Sequence, residues 1–88
     1  MFIAKVVGTV VSTRKDESLA GKKILLVQPL DAQLEAEGRP EVAVDSVGAG
    51  TGETVIVTWG SIASTVFESN APIDCTIIGI VDNVEVKL

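Results

Sequence analysis

Short runs of β-branched residues place apolar groups on both faces of the strands they form, and this doubling limits the folds open to the chain. Val6, Val7, Val10 and Val11 fall within Phe2 to Thr13, and Ile77, Ile78, Ile80 and Val81 fall within Ile73 to Val84. Side chains alternate across a strand, so neighbours such as Val6 and Val7 point to opposite faces. Residues of this type favour strands, and a strand apolar on both faces needs cover on both. With 88 residues, residues 1–88 make a single domain, which buries only about two-thirds of the surface its unfolded chain exposes. Cover on the second face comes either from the chain's own loops and short helix or from other subunits. Cys75 is the only cysteine and histidine is absent, which removes an internal disulfide and most zinc sites as supplements to a thin core. Oligomerisation is the supplement that remains.

The chain order supplies five strands. Phe2 to Thr13 is the first, and the polar stretch Arg14 to Ser18 ends it. Lys22 to Pro29 is the second, closed by its proline, and the two pair as a hairpin with a wide loop. Asp31 to Gly38 fits one helical turn or a plain loop equally. Glu41 to Asp45 alternates polar and apolar residues as a half-buried strand does, and Glu53 to Trp59 is the fourth strand. Ser61 can cap a short helix in which Ile62 and Val66 share a face, stopped by Asn70-Ala71-Pro72. The last strand, Ile73 to Val84, puts Ile78 and Ile80 on one face and Cys75 and Ile77 on the other. Together these predict an all-β fold: a small, partly open five-stranded OB-like antiparallel barrel with one short helix between strands 4 and 5.

Charge and residue types exclude most chemistry. Formal net charge is −5 and the seven basic residues are scattered, so no basic stripe exists to hold a phosphate backbone, and nucleic acid is not a partner. No apolar run approaches membrane-spanning length, and Met1 to Lys5 does not read as a leader. Neither a membrane nor a cofactor is expected, and the expected setting is the cytosol. Ser12, Ser46, Ser61, Ser64 and Ser69 lack a histidine to activate them. Asp45, Glu53, Asp74 and Asp82 sit near strand ends, where carboxylates are ordinarily solvated. Cys75 shares a strand face with Ile73 and Ile77, which makes it a buried, inert thiol. Trp59 fits a core plug, an interface anchor or a pore-facing ring.

Gly48-Ala49-Gly50-Thr51-Gly52-Glu53 is the most distinctive local sequence. Its glycines permit positive φ and free backbone N–H groups for an anion-holding nest, so one reading is a small ligand- or nucleotide-binding barrel using the Gly48–Gly52 loop. As a phosphate motif it lacks a following lysine and a helix N-terminus. The other reading is a tight strand connection packed closely against other backbone.

Four segments in order, Lys5–Thr13, Gly21–Pro29, Val42–Glu53 and Pro72–Asp82, resemble the bacterial microcompartment vertex proteins of the EutN/CcmL type. The match covers nearly the whole chain, and Val42 to Glu53 is its most specific piece. The resemblance implies an OB-like barrel that assembles into a homo-pentamer. It implies no catalysis, contacts with hexameric shell proteins, and a place in a microcompartment shell in the bacterial cytoplasm. A ring of subunits also leaves a central opening, and the expected subunit-interface or pore-bordering residues are the glycine loop, Gly48 to Glu53, or Gly60, Ser61, Ile62, Ala63 and Ser64, with the doubly apolar last strand placing Ile78 and Ile80 at an interface. Relatives commonly carry Gly-Ser-Ser-Ala-Arg after the fourth strand, where this chain has Gly60-Ser61-Ile62-Ala63-Ser64. The C-terminal stretch Val84 to Leu88 is shorter than in many of them.

Overall fold

The computed structural model describes residues 1–68 and 70–87; Ser69 and Leu88 lie outside the described residues. Five strands form: β1 (Phe2–Thr9), β2 (Ile24–Pro29), β3 (Glu41–Asp45), β4 (Thr54–Trp59) and β5 (Cys75–Ile80). They close into a barrel in the order β1-β2-β3-β5-β4, with a 3₁₀ helix, Ser61–Val66, between β4 and β5. The expected five-stranded barrel with its short helix is therefore present. It is closed rather than partly open, and one strand pair departs from the antiparallel rule: β3 and β5 run parallel, with Val44 opposite Thr76 and Asp45 opposite Ile77. Parity requires this, since directions cannot alternate all the way round a closed ring with an odd number of strands.

Ala4 and Val6 of β1, Leu25 and Val27 of β2, Ala43 of β3, Val55 and Val57 of β4, and Cys75 and Ile77 of β5 fill the interior. The period-2 alternation places them there, and Ala49 joins them from the β3–β4 connection. Two bulges bend the sheet toward closure. In β1, Val6 stands opposite Val27 but Gly8 opposite Leu26, so Val7 is the extra residue and its side chain is exposed. In β5, Ile77 stands opposite Val57 but Gly79 opposite Ile56, so Ile78 is the extra residue and Ile80 comes to stand opposite Val55. Ile78 and Ile80 therefore do not share a face as a continuous strand would have it, because one inserted residue reverses the alternation beyond it.

Other boundaries are tighter than the apolar runs suggest. The last strand is Cys75–Ile80 rather than Ile73 to Val84. Ile73 instead joins Val44 and Ala71 in a second cluster on the barrel's flank, packed by Leu19 and Phe67. Part of the second apolar face is thus covered by the chain itself. β3 does not alternate as expected either: Val42 is exposed while Ala43, Val44 and Asp45 are all buried, because this cluster and the following loop cover its outer side. Asp31 to Gly38 is a turn organised by Asp31, whose Oδ1 accepts from the amides of Gln33 and Glu35 at 2.9 and 3.0 Å. An isolated bridge between Leu30 and Ala36 closes that turn.

Candidate functional site

The β3–β4 connection is built around Asp45. Its carboxylate is buried and accepts three successive amides: Val47 at 3.2 Å on Oδ1, and Gly48 and Ala49 at 2.8 and 3.0 Å on Oδ2. This corrects the reading of Asp45 as a solvated strand-end carboxylate. The next amide, that of Gly50, donates to Glu53 Oε1 at 2.7 Å. Gly52 donates from its amide to Val6 O at 2.8 Å, and Val6 donates back to Glu53 O at 2.9 Å. Gly48 and Gly52 take φ of +81° and +92°, the left-handed region where glycine is at ease. At the start of the loop, Ser46 Oγ donates to Ile77 O at 2.6 Å. The nest suggested by the glycine spacing therefore exists, and the chain's own carboxylates already fill it. A phosphate arriving at the amides of residues 47–50 would have to displace a negative charge, which removes the basis of the nucleotide-binding reading. The signal in the sequence was the aspartate placed three residues before a glycine at a strand end, where short carboxylates capture nearby amides.

The Gly60–Ser64 segment is constructed differently. Gly60 is the N-cap of the 3₁₀ helix at φ +90°, with no side-chain capping bond, so Ser61 does not cap it as expected. Gly60 donates from its amide to Asp74 O at 2.8 Å. Ala63 is the helix's buried residue, and the buried Thr76 hydroxyl donates to Ala63 O at 2.8 Å. Ile62 and Val66 both face solvent instead of forming a packed face, Ile62 at 61% exposure and Trp59 beside it at 63%. A 3₁₀ helix has three residues per turn, so one buried residue per turn is all a short one can offer. Trp59 is not a core plug. It lines one wall of a cleft of about 380 Å³ at the barrel mouth, with Phe2, Arg39, Glu41, Asp74 and Cys75 among the other walls.

Cys75 supplies the thiol of that cleft. Burial, reinforced by the charges of Glu41 and Asp74, pushes its thiol up from 9.0 to about 11. It stays protonated and inert, as its strand position suggests. Among the described residues no group of His, Cys, Asp and Glu side chains is arranged to hold a metal ion, and no helix is long and apolar enough to cross a membrane.

The two singled-out segments are not brought together. The glycine loop precedes Thr54 and the Gly60–Ser64 segment follows Trp59, so a strand of roughly 17–20 Å separates them. Ile78 is half-buried and Ile80 lies exposed where β5 ends.

A family model described as "Ethanolamine utilisation protein EutN/carboxysome" matches residues 1–82. The chain belongs to the EutN/CcmL family. A curated relative, the bacterial microcompartment shell vertex protein GrpN of Rhodospirillum rubrum, is 50% identical over 86 residues, covering 97% of this chain and 97% of the relative. The carboxysome shell vertex protein CcmL of Synechococcus elongatus is 49% identical over 88 residues, with 99% and 89% covered. The solved structure of GrpN, a pentameric microcompartment shell protein, superposes with a TM-score of 0.92 at 49% identity, covering 99% of this chain and all of that one. The EutN/CcmL family is a family of structural shell vertex proteins, not of enzymes. That agrees with a site whose polar groups satisfy one another.

Proposed function

We propose that this chain acts as a pentamer that closes the vertices of a bacterial microcompartment shell, seated among hexameric shell tiles within the bacterial cytoplasm. The observation that carries this reading is the end-to-end likeness to a pentameric shell protein. Exposed apolar side chains on a closed barrel, Val42, Trp59, Ile62 and Ile80 among them, give such an assembly surface to bury. A five-fold ring among six-fold tiles supplies the curvature that closes a flat sheet. Such a ring needs a heterologous contact, in which two different patches of each subunit meet. The Gly48–Glu53 loop, the Gly60–Ser64 segment and the exposed end of β5 at Ile78 and Ile80 are the surfaces we assign to that contact or to the central opening.

Gly50→Val tests the assignment. Within one chain a Cβ at position 50 meets only Glu53 Oε1, at 3.6 Å, an ordinary van der Waals distance, so the barrel should fold with an unchanged circular dichroism spectrum. The pentamer, measured by native mass spectrometry and size-exclusion chromatography, should be lost. A wild-type chain that stays monomeric at micromolar concentration would refute the ring itself.

A further inference from the structure

We propose that Asp45 is a positioning residue for assembly: its carboxylate occupies the place of a bound anion and holds the β3–β4 loop in its contact shape before any neighbour arrives. This deepens the reading above and rests on the loop lying at a subunit contact. The geometry is that of an anion nest, with the amides of Val47, Gly48 and Ala49 all directed at one carboxylate. The carboxylate is tethered to the end of β3, whose Asp45 amide is itself bonded to Lys23 O at 2.9 Å. Three further fastenings leave the loop little freedom. Ala49 is embedded in the core, Gly50 is held by Glu53, and Gly52 is bonded to Val6. Only Ala49 among the loop residues is buried, whereas Val47, Gly48, Thr51, Gly52 and Glu53 present themselves to solvent. A loop left mobile would have to be ordered at each of the contacts in a ring, and that ordering weakens association. A loop ordered by its own aspartate carries no such penalty.

The experiment compares three variants of the full chain by amide hydrogen exchange and native mass spectrometry. Asp45→Ala removes every acceptor, while Asp45→Asn keeps one oxygen able to serve Gly48 and Ala49 and so guards against simple misfolding. Exchange at Val47, Gly48 and Ala49 should rise by roughly 10- to 100-fold in Asp45→Ala, the loss expected for bonds to a charged acceptor, and by less in Asp45→Asn. Core amides such as Val27 and Val57 should keep their protection. The pentamer should dissociate at higher protein concentration in the same order, alanine before asparagine before wild type. If exchange rises and the pentamer is unaffected, or if exchange does not rise, the positioning role is overturned. Gly50→Val separates the two levels: an intact pentamer there refutes the contact assignment, whereas a lost pentamer there with a normal one in Asp45→Ala refutes only the role of Asp45.

Discussion

The two connections that flank β4 use the same local device toward different ends. Each turns at a glycine of positive φ, Gly48 in one and Gly60 in the other, and each sets a fully buried alanine, Ala49 or Ala63, against the barrel. Beyond that they diverge. The first satisfies four of its amides with carboxylates of its own sequence, Asp45 and Glu53. The second has no side-chain cap, satisfies carbonyls rather than amides, through the hydroxyls of Ser64, Thr65 and Thr76, and leaves Trp59 and Ile62 exposed. One connection is finished within the chain in its polar groups, and the other leaves apolar surface unfinished. In the proposed ring the first would serve as a stiff feature for a neighbour to meet and the second as apolar area whose burial favours association.

The sharpest way to break this comparison is to overfill both alanine positions. Ala49→Leu should destabilise the barrel by about 3 kcal/mol, because its surroundings are the closed core and the loop is fastened on both sides. Ala63→Leu should cost about 1 kcal/mol, since the short helix over it can shift outward. Denaturant unfolding of the two variants measures the difference, and equal losses would show that the second connection is as rigid as the first. A smaller effect concerns the mouth beside Trp59. The Cys75 thiol is raised in the fold from 9.0 to about 11, so its stabilisation is complete below pH 9 and is lost as pH rises toward 11. Wild type minus Cys75→Ala should reveal a pH-dependent difference on the order of 1–2 kcal/mol across that window, and a flat difference would place the thiol in contact with water. The smallest effect on the fold is expected at Ile62→Ser, within about 0.5 kcal/mol in a denaturant titration, as for other exposed positions. The same change should weaken the pentamer in native mass spectrometry, which would mark the second connection as assembly surface.

Much of this molecule could be read without coordinates. Apolar and alternating runs mark all five strands in order, the spacing of Ile62 and Val66 the short helix after Gly60, an apolar strand face the buried thiol at Cys75, and clustered glycines the loop at residues 48–52. The errors cluster where one residue's placement depends on a distant partner. The bulge at Ile78 depends on how β4 pairs with β5. Ile73 leaves the strand because Val44 and Phe67 offer it a separate cluster. A carboxylate at a strand end is usually solvated, and Asp45 is buried only because the following loop folds back over it.

By itself the sequence determined the class of fold and, through the resemblance of its ordered motifs, pointed to membership of a shell-building family. The class of fold follows from local periodicity and residue chemistry, which act over a few positions at a time, and the family from the resemblance of four segments taken in order. Closure of the ring, the parallel pairing that an odd number of strands demands, the two bulges and the occupation of the nest by Asp45 were decided by the tertiary structure. Each is a contact between residues far apart in the chain or folded back upon one another, and no local pattern specifies which of the possible partners arrives.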